Sequence, residues 1–187
     1  MPNLRVLLLL GFLARFFSPV LRLALRLRQP ELGRFMRIDQ LATESYGRGR
    51  WSEAEALALE GLGLAERYAG NWNYGNVIHN SHQILGLLHL REGEQEEAVK
   101  SLLAAGRSPG SPQLNSFGPK MVLATELLRR GERGPVLQYL DLVALFWTKK
   151  SAPYPEVGIA NKRLIKQWKV EIMAGRLPQH KLWIADA

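Results

Sequence analysis

The 187 residues include no cysteine. That excludes a disulfide framework, a thiolate zinc site and a thiol nucleophile, and it leaves the redox compartment open. Catalytic signatures are equally scarce. No serine sits in a G-x-S-x-G elbow, and no pair of carboxylates stands out for acid–base work. The GRGR at Gly47–Arg50 and the RRGERG at Arg129–Gly134 suggest phosphate loops. Both lack the G-K-[ST] ending and a preceding strand, and both are explained as turns. His79, His82 and His89 share one helical face, but no H-E-x-x-H or Glu-x-x-His partner with metal-ligand spacing accompanies them. No catalytic group, metal or other cofactor is expected.

An uninterrupted apolar run of membrane-spanning length is also missing. The opening, residues 1–30, is the most apolar part, yet Arg15 and Arg22 fall inside any window of ~20 residues. Ser18-Pro19 reads as an N-cap followed by proline at the first helical position. Arg15, Ser18, Arg22 and Arg26 share one face of the resulting amphipathic segment. It serves as a cap on the helices that follow or lies on an anionic membrane surface through Arg15, Arg22 and Arg26. A signal segment remains a third reading, although no small-x-small cleavage site follows.

What is present is a globular composition, 47% apolar and 22% charged. The net charge of +8 is unevenly placed. Residues 1–50 carry nine Lys/Arg against three acids, 145–187 carry eight against three, and 51–144 carry eight against eleven. The basicity belongs to the ends. The C-terminal Lys162, Arg163, Lys166 and Lys169 with Trp168 offer a small basic patch, but Trp168 falls on the apolar stripe of its helix. Nucleic acid is therefore not the expected partner.

Between these ends one pattern recurs. Leu85-Gly86 precedes the turn residue Gly93, and Ala98, Leu102 and Ala105 follow it at helical spacing. Leu41-Ala42, Gly49, Ala54, Ala58 and Gly61 repeat the offsets upstream, and Leu123-Ala124, Gly131, Val136, Leu140 and Val143 repeat them downstream. Each register reads as two antiparallel helices whose small residues let the backbones approach. The Gly-to-Gly spacings are 44 and 38 residues. Ser52 and Glu55 suggest a capping box at the second helix of the first pair. Helices are expected over 31–47 and from Trp51 to near Gly70, with SAPYPEVG as a linker before a last helix that ends the array. The tail after it is expected to fold back. Trp51, Trp147 and Trp168 should be largely buried.

This pattern resembles the tetratricopeptide repeat, usually ~34 residues long, in a stretched form. The later half also looks like a group of bacterial repeat-containing proteins to which no activity is assigned. The resemblance implies an all-α fold: a right-handed array of about three TPR-like helix pairs with additional N- and C-terminal helices. The expected divisions are 1–30 (apolar and basic), 31–150 (repeats) and 151–187 (linker, capping helix and tail). It further implies a non-catalytic protein–protein interaction scaffold in the cytoplasm, with or without peripheral membrane attachment. The family's groove offsets fall on Asp39, Thr43 and Tyr46, on Asn80, Gln83 and Arg91, and on Met121, Thr125 and Arg129. Leu87 and Leu90 also occupy such offsets, which leaves open a groove filled by the protein's own terminal segment.

The stretch from Ser108 to Pro119, rich in Pro and Gly, is longer than a repeat connection needs. It is either a plain connector or a loop placed over the groove, offering Gln113, Asn115, Ser116 and the apolar anchor Phe117. The expected partner surface is then Asn80, Gln83, Arg91, Asn115, Phe117, Thr125 and Arg129, suited to an acidic or carboxylate-ended peptide or protein.

Overall fold

A computed structural model describes residues 30–149, 155–180 and 182–183, in two compact units, Met1–Met36 and Arg37–Ala187. Arg15, Arg22, Arg26 and the Ser18-Pro19 cap lie outside the described residues. In the first unit the described part is a short helical segment in which the Met36 amide donates to the Leu32 carbonyl at 2.9 Å.

The second unit is all-α, its helices joined by turns and short irregular stretches, with no strand among the described residues. Its helices are α1 (Ile38–Gly47), α2 (Trp51–Ala65), α3 (Tyr74–Glu92), α4 (Gln95–Gly106), α5 (Pro112–Phe117), α6 (Val122–Arg129), α7 (Arg133–Trp147) and α8 (Pro155–Met173). α1 packs on α2, α3 on α4 and α6 on α7; α3 also lies against α2, α7 against α4, and α8 against α7. None of the described helices is long and apolar enough to cross a membrane.

Three turns repeat one geometry. Gly49, Gly93 and Gly131 have φ of 73°, 83° and 89°. The next amide, of Arg50, Glu94 or Glu132, donates to the carbonyl of Ser45, His89 or Leu127 at 2.9, 2.8 and 2.9 Å. This six-to-one bond satisfies a carbonyl that the helix end would leave orphaned, and glycine takes the left-handed conformation without a Cβ penalty. The second helix of each pair starts at once, at Trp51, Gln95 and Arg133.

Burial follows the same register. Ala42, Gly86 and Ala124 are buried before each turn, and Ala54, Ala98 and Val136 after it. Ala58, Leu102 and Leu140 come next, then Gly61, Ala105 and Val143, all buried too. A Cβ on Gly86 would sit 3.0 Å from Ser101 Cβ and 2.3 Å from Leu123 Cδ2, so this position lets α3 approach both α4 and α6. The third pair places larger residues, Val136, Leu140 and Val143, at the positions after its turn, and the main core there gathers Tyr139, Leu140, Phe146, Trp147, Trp168 and Trp183.

Several sequence expectations shift. The first helix of pair one begins at Ile38 after a turn at 36–37, and α2 ends at Ala65 in a 3-10 turn, Glu66–Tyr68. Ser52 and Glu55 form no capping box: α2 already begins at Trp51, its N-cap is Arg50, and no side chain bonds there. The tight glycine turn leaves no extended residue at which a serine cap could act. α8 starts at Pro155, inside the expected linker.

The tail does fold back. Trp183 is 1% exposed, its ring meets Trp168 edge-on at 5.5 Å, and Trp168 stacks on Trp147 at 5.7 Å. Each such aromatic pair contributes about 1 kcal/mol beyond its buried area. Trp51 is only half-buried, because it packs edge-on to Tyr46 and carries the Arg91 guanidinium 3.8 Å from its ring centroid.

Candidate functional site

The 108–119 stretch is held tightly to α3. Gly75 makes this possible: a Cβ there would lie 1.9 Å from the Gly110 carbonyl oxygen. Ser108 Oγ donates to the Gly75 carbonyl at 2.7 Å, and Ser111 Oγ donates to Asn76 Oδ1. Ser111 also caps α5, accepting from the Leu114 amide at 3.0 Å with Pro112 at the first helical position. Asn76 Nδ2 donates to Asn73 Oδ1 at 2.8 Å and to Gln113 Oε1. Gln113, expected to face a partner, is instead engaged by the protein's own α3.

Beneath this, α3 caps α6 from the side. His79 Nε2 accepts from the Lys120 amide at 3.1 Å, which leaves the proton on Nδ1 to donate to the Ala105 carbonyl at 3.1 Å. Burial lowers the His79 pKa to about 4, so the ring is neutral at pH 7. One turn on, Gln83 Oε1 accepts from the Leu123 amide at 3.3 Å, and its Nε2 donates to the Tyr139 hydroxyl at 3.4 Å. That hydroxyl donates to the Lys120 carbonyl at 2.8 Å. α6 carries no side-chain cap of its own because α3 and α7 supply these bonds.

Between α1, α3 and α5 lies an open cleft of about 260 Å³, lined by Asp39, Asn76, Asn80, Gln113, Leu114, Phe117, Gly118 and Lys120. Asn80 Nδ2 donates to Asp39 Oδ2 at 2.7 Å, while the buried Asn80 Oδ1 has no partner. Lys120 Nζ donates to Thr43 Oγ1 at 3.3 Å, and Thr43 Oγ1 donates to the Asp39 carbonyl at 2.8 Å. Desolvation lowers the Lys120 pKa, and the Asp39 carboxylate acts the other way. Phe117 stands on the rim, 77% exposed. The cleft therefore offers an ammonium with spare donors, an unused amide oxygen and an apolar edge, a set that can hold a polar chain by hydrogen bonds.

The expected partner surface is only partly assembled. Asn80 and Phe117 meet at the cleft. Asn115 is half-buried beside Gly110, its Oδ1 also without a partner. Gln83 and Thr125 are buried: Gln83 caps α6, and Thr125 Oγ1 lies 3.1 Å from the Trp183 carbonyl under the folded-back tail. Thr125, an expected groove position, is thus covered by Trp183. Arg91 lies eleven residues along α3 from Asn80, about 16 Å, and stacks on Trp51. Arg129 is exposed and paired with Glu126.

Sequence reasoning missed Lys120 as a site residue, and Asn76 as the residue that anchors the 108–119 stretch. Lysine on the surface is common, and nothing local reveals that this one is desolvated. His89, Glu92 and Glu94 bring their donor atoms within 4.8 Å of one another. All three sit at the surface beside the Gly93 turn, where His89 Nδ1 contacts Glu94 Oε2 at 2.7 Å. No family model matches the chain, and neither does any curated protein or solved structure.

Proposed function

We propose that the helix pairs form a right-handed, TPR-like array, and that the protein is a non-catalytic module that binds a peptide or protein segment through the α1–α3–α5 cleft. One observation carries the reading: the cleft holds an ammonium, Lys120 Nζ, whose side-chain neighbour is a single hydroxyl, beside an exposed Phe117. An acidic or carboxylate-bearing residue of the partner would take the ammonium, and an apolar side chain would rest on Phe117. The reading carries with it a cytoplasmic location.

Peptide display against the full chain, followed by affinity measurement of the selected peptides, tests this. Asn80→Ala/Lys120→Met should weaken them at least ~10-fold with an unchanged melting temperature. Equal affinity for both proteins would rule the cleft out.

A further inference from the structure

α8 was expected to end the array with a polar outer face. Its inner face packs through Ile165, Trp168 and Ile172, with Leu164, expected there with the last two, only half-buried. Its outer face differs. Ile159, Arg163, Lys166, Val170 and Met173 follow one another at steps of four, three, four and three residues, a single stripe along the helix. The apolar members are well exposed: Ile159 42%, Val170 51% and Met173 64%.

The cations of this face also differ from those elsewhere. Arg48, Arg50, Lys100, Arg129 and Arg130 each have a glutamate three or four residues away in contact. Lys162, Arg163, Lys166 and Arg176 have no acidic partner among the described residues. Arg163, Lys166 and Arg176 surround a shallow depression of about 400 Å³ floored by Val170, Gln167 and Glu171. The Glu171 carboxylate accepts from Gln167 Nε2 at 2.8 Å, and it is the acid that lines the depression.

We infer that the outer stripe of α8 docks on an anionic phospholipid surface, with Arg163, Lys166 and Arg176 on the headgroups and Ile159, Val170 and Met173 in the acyl boundary. Unpaired cations interleaved with exposed aliphatic side chains match both layers of such a surface. A single-stranded nucleic acid would want an aromatic platform, and the helix's tryptophan, Trp168, faces inward. The inference uses a different face from the peptide cleft and stands independently of it.

Co-sedimentation of the full chain with extruded vesicles tests it, using phosphatidylcholine alone and phosphatidylcholine with phosphatidylserine, at low and at high salt. The chain should bind only the anionic vesicles. Arg163→Glu/Lys166→Glu should weaken binding at least ~10-fold at low salt. Ile159→Ser/Val170→Ser/Met173→Ser should remove the fraction that survives high salt. Should the charge-reversed chain fail to fold by circular dichroism, Arg163→Gln/Lys166→Gln replaces it with the same direction of effect. Wild-type affinity in the folded charge variant would overturn the inference and place any vesicle binding elsewhere in the chain. Tighter binding of an oligothymidine probe than of vesicles, or a dimer dissolved by the serine variant, would overturn it as well.

Discussion

Two polar pairs on α3 lie within a turn of each other and differ in what they do. His79 and Gln83 are buried with hydrogen-bond partners within the fold, which hold the start of α6. Asn76 and Asn80 sit on the side that opens to the cleft, and Asn80 keeps an unpaired oxygen. Residue type does not separate the pairs, since all four are polar residues in one helix. What separates Asn80 from the other three is that its amide oxygen has no hydrogen bond within the fold, whereas their acceptor atoms are already engaged.

The strongest way to break this comparison is His79→Ala. It strands the Lys120 N–H in the interior, removes one of the two bonds to the Ala105 carbonyl and leaves a cavity, so unfolding free energy should fall by about 3–4 kcal/mol. Chemical denaturation that shows less than about 1 kcal/mol would mean that α6 does not depend on α3 for its cap.

A second test titrates the same residue. His79 has a folded pKa of about 4, below its unfolded value of 6.5, so protonation favours the unfolded chain. Its contribution should be constant above pH 6.5, fall as the pH drops towards 4, and level off below. The loss is on the order of 3 kcal/mol. Carboxylates titrate nearby in pH, so the measured quantity is the difference between wild type and His79→Gln. A difference that stays flat across that window would contradict a buried, neutral ring.

Gly75→Ala probes the other pair without touching any cleft residue. The added methyl must displace the Gly110 backbone, so the 108–119 stretch should loosen from α3. Selected peptides should then lose affinity ~10-fold or more, with a stability loss of about 1–3 kcal/mol. Asn80→Ala, by contrast, should leave stability within about 1 kcal/mol, because it removes one bond to Asp39 on the cleft wall. Its effect belongs in binding. The smallest effect is expected from Arg91→Ala, which removes the guanidinium over Trp51: about 0.5–1 kcal/mol, no change in peptide affinity, and altered Trp51 emission.

The turns were legible because their chemistry is local. Gly49, Gly93 and Gly131 follow apolar-periodic runs, and each takes the left-handed conformation that such a position requires. The small residues at fixed offsets from them are buried as their periodicity demands. The cap of α5 was equally visible in Ser111-Pro112, the same signal as Ser18-Pro19, yet the surrounding Pro and Gly masked it as loop. The site was much less legible. Asn80 and Asp39 could be placed from their offsets, but Lys120 acquires its character from Thr43 and Asp39, which lie far away in sequence. Gln83 and Thr125 looked like surface groups because nothing local shows that α6 and Trp183 cover them.

The central place of α3 also sets an order of events in time. It touches α1, α2, α4, α5 and α6, whereas α8 leans on α7 alone among the helices it packs against closely. Opening that begins at α8 frees little else; releasing α3 requires five neighbours to give way at once. The amides of Ile84 to Leu88 should therefore surrender their hydrogens to heavy water last, at a rate tied to complete unfolding. Those of α8 should exchange earlier, through a partial opening that leaves the cleft intact.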